Sequence, residues 1–364
     1  SLVQELDAAT STVNAHLEEG WVAPPTRTLP FVPCRLQPRG IIMQARTRLA
    51  PDGSIEEYMK PRVTTDGSFG GPDSMNAGVG GHERAVELAS VQSLGVGWAV
   101  CQSAADGDDA PEELATDGYC VDAESAYSFC PIQEADLWLQ GFVWWDAHGR
   151  CGVAIDRRMG FGGSFAPNRY QRVSLFVAAY AQHLQAAFDA ERPPHAAVAR
   201  WSADRRARQE RGELPGGDAQ LAPRYLQAYI DDLTGAGLND RVRAPAWLLD
   251  PGCVDTPLGP EAQKLAPFSF SDAATAASGG TPSPADARVR VHAMIVVASM
   301  ADLGLHAAPH KIFCGSPLLA LGMRIDRSRR CIDCPEGKRA IMLADITEQR
   351  DALLAGQGVQ RKKA

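Results

Sequence analysis

The chain has 364 residues, of which 45% are hydrophobic, and it is long enough to bury a core in two or three lobes. Its charged fraction of 22% is near the globular average, which argues against wholesale disorder. The formal net charge of −8 does not indicate a nucleic-acid-binding protein. Basic residues nonetheless form runs, which taken singly are typical of solvated faces, at 200–211, 324–330 and 361–363.

The nine cysteines are odd in number and irregularly spaced, which argues against a disulfide framework and for a reducing compartment. Cys331 and Cys334 form a CxxC pair that could join Cys314 in a zinc site, but without a second pair or nearby histidines coincidence is the better explanation. No apolar stretch approaches about 18 residues, so we expect no membrane span. The chain begins at Ser1 without a signal-like segment. We therefore expect an intracellular piece of a longer protein, cytoplasmic or nuclear and not secreted.

The N-terminal third is predicted to hold a helix, a hairpin and a loop. Apolar residues follow helical spacing within residues 1–30, and a proline-rich connector follows them. Ile41–Arg48 and Ile55–Tyr58 flank a Pro-Asp-Gly turn, which predicts a β-hairpin. Six glycines between Gly67 and Gly81 predict a flexible loop, which lacks the Gly-Lys-Ser/Thr ending of a phosphate loop.

Further along the chain, strands alternate with long helices. Tyr119–Ala123 reads as a buried strand, and Phe142–Trp145 with Cys151–Ile155 reads as a hairpin with a glycine-containing turn. Apolar residues recur at helical spacing over Val173–Phe188 and again over Val289–Leu303, where a glycine follows.

Two segments look like insertions on the surface. Residues 191–223 are rich in proline and arginine, and residues 244–287 hold seven prolines, which predicts poor order there. The order of the remaining elements predicts an α+β fold, an antiparallel sheet with helices on one face.

The stretch Tyr229-Ile230-Asp231-Asp232 places two carboxylates side by side among apolar residues, where a hairpin would bend. Adjacent carboxylates repel each other and lose hydration, so something must offset that cost. A divalent cation such as Mg²⁺ would do so, while a solvated turn is the alternative. Asp122, at the end of the predicted strand, is the candidate for a partner carboxylate in a two-metal site.

With Asp122 preceding the Asp231–Asp232 pair, the chain resembles the reverse transcriptases, the RNA-directed DNA polymerases of retroelements, over about residues 40 to 325. Six separate motifs carry the resemblance. They are Lys60-Pro-Arg62 with Asp66, Ser68 and Asn76; Asp122 with Tyr127; Gly160-Phe161-Gly162 with Ala166-Pro167 and Tyr170-Gln171; Tyr229 to Asp232; Gly304-Leu305 with Pro309 and Lys311; and Leu321-Gly322. One departure is Met159-Gly160, where the family usually has Leu-Pro.

The resemblance implies a right-hand polymerase fold with fingers, palm and a partial thumb. The predicted boundaries are an N-terminal helix and connector at 1–30, fingers at 31–118, a palm with the two insertions at 119–335, and a partial thumb with a basic tail at 336–364. One thumb helix would fit Arg339–Ala355.

For the metal site, the resemblance implies two Mg²⁺ (or Mn²⁺) ions about 3.5–4 Å apart, which stabilise the attacking and leaving oxygens. Asp122 and Asp231 would hold both ions, with Asp232 as a weaker or structural ligand. The backbone at Ala123 and Glu124 would meet the metal and the phosphates.

The remaining roles concern the nucleotide. Lys60 and Arg62 would neutralise the triphosphate, Arg with bidentate geometry. Gly162 would let the backbone approach the template–nucleotide pair, and Phe161 would pack on it. Tyr127 would lie beneath the sugar and exclude a 2′-hydroxyl, where RNA-templated RNA polymerases tend to have an aspartate. An ordinary core tyrosine is the alternative.

Beyond the nucleotide, the resemblance implies that Lys311 protonates the pyrophosphate, although a surface lysine after a helix is the alternative. Tyr229, Gln171, Leu321 and Gly322 would contact primer or template, the last two as the primer-grip turn.

The sequence thus predicts DNA synthesis from dNTPs on an RNA or DNA template, as part of a retroelement polyprotein. The expected partners are the template-primer and dNTPs, with no membrane, and further domains such as RNase H, integrase or recombinase outside this chain. A catalytically inactive RNA-binding remnant and an RNA-templated RNA polymerase are the alternatives.

Overall fold

The computed structural model describes residues 2–49, 55–146, 148–214, 221–249, 270–277, 279–321, 323–327, 329–334 and single positions between 339 and 350. The helices are α1 (Leu2–Glu18), α2 (Gly81–Arg84), α3 (Val91–Ala105), α4 (Ala166–Glu191), α5 (Ala196–Glu210), α6 (Ala246–Leu249), α7 (Asp272–Ala277) and α8 (Arg288–Asp302). The strands are β1 (Val22–Thr26), β2 (Arg39–Leu49), β3 (Ile55–Thr65), β4 (Thr116–Asp122), β5 (Gly141–Trp145), β6 (Cys151–Asp156), β7 (Arg224–Tyr229), β8 (Asp232–Leu238), β9 (Thr281–Pro282), β10 (Phe313–Ser316), β11 (Leu318–Ala320), β12 (Met323–Asp326) and β13 (Cys331–Asp333).

The fold is mixed α/β, with antiparallel sheets. The largest sheet in the described residues has the order β7-β8-β4-β10-β9, and its β4–β8 and β7–β8 pairs are antiparallel. Smaller sheets have the orders β1-β6-β5, β11-β12-β13 and β2-β3. The two predicted hairpins are confirmed as β2–β3 and β5–β6, and the two long predicted helices as α4 and α8.

Successive side chains of β4 point to opposite faces of the largest sheet, the central sheet, and so contribute to two separate apolar clusters. Tyr119 and Val121 point toward α4 and α8, where they join the larger apolar cluster of the protein. Cys120 points to the opposite face and packs in a second cluster with Leu94 and Trp98 of α3. Helices therefore cover both faces of the sheet, and the prediction that they lie on one face was wrong.

Glycine at position 97 explains how closely α3 approaches the sheet. A Cβ atom there would overlap the ring of Tyr225 on β7. Helical spacing of apolar residues does not predict this packing, because the apolar residues of α3 are dispersed around the helix.

The N-terminal helix packs on a separate small core. Ala9 and Val13 of α1 cluster with Val22, Phe142 and Trp144 of the β1-β6-β5 sheet. This layer also supports the β2–β3 hairpin, through side chains of both strands that pack partly buried against the cluster.

Both predicted insertions contribute to the fold where the structure describes them, which corrects the reading of them as surface excursions. The first contains α5, whose Val198 is fully buried with Leu114 and Leu238. The second contains α6, α7 and β9, and Ser283 beside β9 donates a hydrogen bond to buried Asp117 (2.7 Å). Residues 250–269 of that segment lie outside the described residues.

Buried charges join α8 to α4. The guanidinium of Arg288 is bidentate on Asp240, with Nε donating to Oδ1 and Nη2 to Oδ2 (both 2.9 Å), and it also donates to Asp189 of α4 (2.9 Å). His292 and Arg224 contact the same Asp189 carboxylate (3.0 and 2.9 Å). Burial acts to raise the pKa of Asp189, but the His292 contact and the charges of Arg288 and Arg224 hold it well below its usual range, so the carboxylate stays charged.

The predicted thumb helix over Arg339–Ala355 lies largely outside the described residues. Among the residues that the structure describes, no helix has the length and apolar character needed to cross a membrane.

Candidate active site

Neighbouring strand ends bring the acidic residues together. Asp122 is the last residue of β4 and lies directly opposite Asp232, the first residue of β8. Asp231 lies in the two-residue turn between β7 and β8, and its carbonyl oxygen accepts a hydrogen bond from the amide of Ala123 (2.9 Å). The structure therefore places the predicted partner carboxylate beside the Asp pair.

The turn that carries Asp231 has an unfavourable backbone conformation. Ile230 has φ +53°, which is rare for a β-branched side chain. Side chains of helix α4 stabilise this conformation. Gln171 accepts a hydrogen bond from the amide of Ile230 (2.6 Å) and donates one to the carbonyl of Ala228 (3.1 Å). The hydroxyl of Ser174 donates to the carbonyl of Ile230.

Gln171 was expected to contact primer or template, and the structure gives it a different position. Its side chain is buried, and both ends of its amide are bonded to the backbone of β7 and the turn. Gln171 therefore positions the Asp pair from inside the core. Sequence reasoning missed Ser174, although its spacing of three residues from Gln171 places both on one helical face.

Burial and neighbouring charge raise the pKa values of Asp231 and Asp232. Burial, followed by the charges of Asp231 and Asp122, raises the pKa of Asp232 to about 7. Burial and then the charge of Asp122 raise the pKa of Asp231. Lys311 offsets part of this repulsion, because its Nζ lies 2.7 Å from Oδ1 of Asp122. The cluster is therefore one that favours an added positive charge.

The donor chemistry fits a divalent cation. Carboxylate oxygens are the ligands that Mg²⁺ prefers, and Asp122, Asp231 and Asp232 supply them from adjacent backbone positions. In the described part of the chain, however, no three His, Cys, Asp or Glu side chains converge closely enough to hold a metal ion as they stand. At Asp122 the ammonium of Lys311 supplies the positive charge instead.

A pocket of about 630 Å³ opens in front of these carboxylates. Its wall combines the acids Asp122 and Asp231 with Lys60 and Arg62 of β3 and with Lys311. It therefore places cationic side chains within the same cavity as the carboxylates, as a polyphosphate next to a metal site requires.

Tyr127, Phe161 and Arg62 line this pocket and contact one another in series, and the buried ring of Tyr170 packs against Tyr127. The ring of Tyr127 meets Phe161 edge-on (centroids 5.1 Å apart) and Tyr170 edge-on (5.9 Å). The guanidinium of Arg62 lies 5.1 Å from the Phe161 centroid. Burial and the charge of Asp231 raise the pKa of Tyr127 to about 12, so its hydroxyl stays neutral.

Contacts within the protein explain why position 162 is a glycine. It has φ +119°, and a Cβ atom there would overlap the carbonyl oxygen of Thr65 at the end of β3. The glycine was expected to admit a template–nucleotide pair, but its close neighbour in the structure is the β2–β3 hairpin.

The backbone amides of Ala123 and Glu124 donate hydrogen bonds within the protein. They donate to the carbonyls of Asp231 (2.9 Å) and His306 (2.8 Å). In the structure both amide protons are therefore used within the protein, and the expected contact of this backbone with the metal and the phosphates stays a prediction.

Two of the predicted primer and template residues, Tyr229 and Leu321, do not line the pocket. Tyr229 ends β7, opposite Asp232. Leu321 has φ +51° in the turn between β11 and β12, while Gly322 lies outside the described residues. Their predicted contacts with nucleic acid stay predictions.

The cysteines do not form the zinc site weighed above. Cys314 is buried and donates to the hydroxyl of Ser283 (3.5 Å), whereas Cys331 lies beside Asp333 (3.9 Å). In the described residues, none of these cysteines belongs to a group of three His, Cys, Asp or Glu side chains that could hold a metal ion.

No protein-family model matches this chain, and no curated protein matches it. Among solved structures, it is similar to the foamy viral protease–reverse transcriptase dRH in complex with double-stranded DNA, with a TM-score of 0.42 and 11% identity over 88% of this chain and 34% of that one. It is also similar to a prototype foamy virus protease–reverse transcriptase CSH mutant, with a TM-score of 0.29 and 14% identity over 64% of this chain and 20% of that one. The chain thus spans about a third or less of these structures' own length.

Proposed function

We propose that this chain carries the polymerase active site of a retroelement reverse transcriptase, which extends a primer with dNTPs on an RNA or DNA template. One observation carries the proposal: Asp122 pairs across the strands with Asp232, and Asp231 opens into the pocket that Lys60 and Arg62 line. The central sheet would be the palm and the β2–β3 hairpin part of the fingers. The order of the sequence motifs supports the same reading.

In this proposal Asp122 and Asp231, with Asp232 beside them, would hold two Mg²⁺ ions, whose charge would be available to the attacking and leaving oxygens. Lys60 and Arg62 bind the triphosphate and neutralise part of its charge. The Gln171 contacts hold the backbone of the turn that carries Asp231, so binding a cation would require movement of side chains and not of the turn itself.

Lys311 is the proposed proton donor to the pyrophosphate. Its ammonium is held by Asp122 in the structure, so proton donation requires Lys311 to leave that partner. Binding of nucleic acid would be mostly to phosphates and sugars and therefore sensitive to salt.

Tyr127 is the proposed selector of deoxynucleotides. Its ring packs edge-on against Phe161 and Tyr170, so a 2′-hydroxyl directed at it would meet a side chain that its neighbours hold in place. An RNA-templated RNA polymerase, the main alternative activity, would need room or a hydrogen-bond acceptor at this position.

Primer extension on an RNA template with Mg²⁺ tests the proposal, comparing dNTPs with rNTPs. We expect the parent to incorporate dNTPs, and Tyr127→Val to raise relative rNTP incorporation by roughly tenfold or more. Tyr180→Phe is the matched control, since Tyr180 bonds Asp302 and does not line the pocket. A parent that prefers rNTPs would favour the RNA polymerase, and a folded parent that extends nothing would favour an RNA-binding remnant.

A further inference from the structure

The loop between β6 and α4 carries a side chain that faces the candidate nucleotide pocket. Phe161 lies on this loop with 42% of its surface exposed, against Tyr127 and under the guanidinium of Arg62. The position of Phe161 therefore depends on what holds residues 160–165.

The last residue of β3, Thr65, and the segment that follows it, up to Asn76, hold that loop. The amide of Thr65 donates to the carbonyl of Phe161 (2.8 Å). Asn76 makes two further bonds: its Nδ2 donates to the carbonyl of Gly162 (3.0 Å), and its Oδ1 accepts from the amide of Ser164 (2.8 Å). One side-chain amide thus satisfies an acceptor and a donor of the same loop.

Asn76 is itself held in place. Its Nδ2 also donates to the hydroxyl of Ser68 (3.0 Å), and its backbone amide donates to the carbonyl of Gly67 (2.9 Å). Gly67 is buried, and a Cβ atom there would come within 2.8 Å of the Gly162 carbonyl oxygen. The two segments therefore lie in direct contact around this amide.

We propose that Asn76 is a positioning residue that fixes the Phe161 loop and so determines the affinity of the pocket for a deoxynucleoside triphosphate. The inference rests on the proposed function, and it gives a specific task to Asn76, which sequence reasoning named only as part of the first motif. Asn76 does not line the pocket, so it acts through the loop.

The chemistry of the side chain is specific. The loop presents a carbonyl oxygen and an amide proton, and a primary amide offers the complementary donor and acceptor. Aspartate keeps the acceptor for Ser164 but places a carboxylate against the carbonyl of Gly162, and alanine loses both bonds. The effects are therefore ordered, with Asn76→Ala most severe and Asn76→Asp intermediate.

The test combines amide exchange with nucleotide binding. In the full chain, hydrogen–deuterium exchange of residues 161–165 is measured together with the Kd of a fluorescent dATP analogue. We expect Asn76→Ala to raise both the exchange rate and the Kd by about tenfold, the latter equivalent to ~1.4 kcal/mol. If the chain polymerises, kcat at saturating dNTP should change by less than about threefold, because the reacting groups are intact.

Asn239→Ala is the matched control. It removes a single side-chain bond, to the amide of Ala115 (2.8 Å), at the opposite end of β4. It should change neither exchange of the loop nor the Kd. Unchanged exchange and Kd in Asn76→Ala, or equal changes in the control, would overturn the proposal. If the parent extends no primer while loop exchange and Kd shift as expected, polymerase activity fails and the role of Asn76 stands.

Discussion

Asp232 is where burial and neighbouring charge act in the same direction. Its pKa rises from 3.8 to about 7 in the folded chain, through burial first and then Asp231 and Asp122. The folded state therefore binds a proton more tightly than the unfolded state. Asp232 therefore lowers the free energy of unfolding as the pH rises from about 4 toward 7, and above pH 7 its contribution is constant.

Asp232→Asn should remove that loss. In EDTA we expect the variant to be more stable than the parent at pH 8 by about 1–2 kcal/mol, after allowance for solvent screening, with the difference vanishing near pH 4. Urea denaturation at the two pH values measures it. Asp204→Asn, on the exposed face of α5, is the control and should show no such pH dependence. A difference equal at both pH values would contradict the electrostatic explanation.

At the scale of elements, α4 holds the turn between β7 and β8. Gln171→Leu should leave the amide of Ile230 and the carbonyl of Ala228 without their partner, so we expect a loss of about 1–3 kcal/mol in unfolding free energy. We also expect kcat for dNTP incorporation to fall by at least about tenfold, because Asp231 loses its fixed direction.

Gln182→Leu is a closely matched control for this prediction. Gln182 lies on the same helix and donates to the carbonyl of Leu226 on the same strand (2.8 Å), away from the turn. It should lower stability slightly and leave kcat unchanged. Equal losses of kcat in the two variants would mean that general destabilisation, not positioning of the turn, explains the effect of Gln171.

The regular elements were predictable because their signals are local. Alternation and helical spacing gave both hairpins, α4 and α8. Helix α5 was missed because its arginines and flanking prolines suggested a surface segment, while its buried side chain Val198 depends on partners elsewhere. The φ of Ile230 was likewise beyond sequence reasoning, since contacts from α4 stabilise it.

The site was predictable as a set of residues, but not as a set of contacts. The Asp122–Asp232 pairing follows from strand ends that the motifs mark. The Lys311–Asp122 ion pair, however, joins residues 189 positions apart, and no spacing rule reveals it. The same holds for Asn76, whose partners Gly162 and Ser164 lie 86 and 88 residues away.

At the scale of the whole molecule, charge is distributed unevenly. The chain carries a formal net charge of −8, yet the pocket wall gathers Lys60, Arg62, Arg158 and Lys311 around the carboxylates. Local cationic groups in a cavity can bind a polyphosphate although the whole protein is acidic. If the proposed polymerase function holds, further affinity for nucleic acid would come from regions outside this pocket.

The central claim is that Asp231, presented by the β7–β8 turn, holds a catalytic cation opposite Asp122. Mg²⁺-dependent primer extension by Asp231→Asn tests it most directly, beside the parent and the surface control Asp109→Asn, whose carboxylate pairs with exposed Arg200. We predict that Asp231→Asn lowers incorporation by at least about a hundredfold at unchanged folding, and that Asp109→Asn does not. Equal incorporation by Asp231→Asn and the parent would contradict the account.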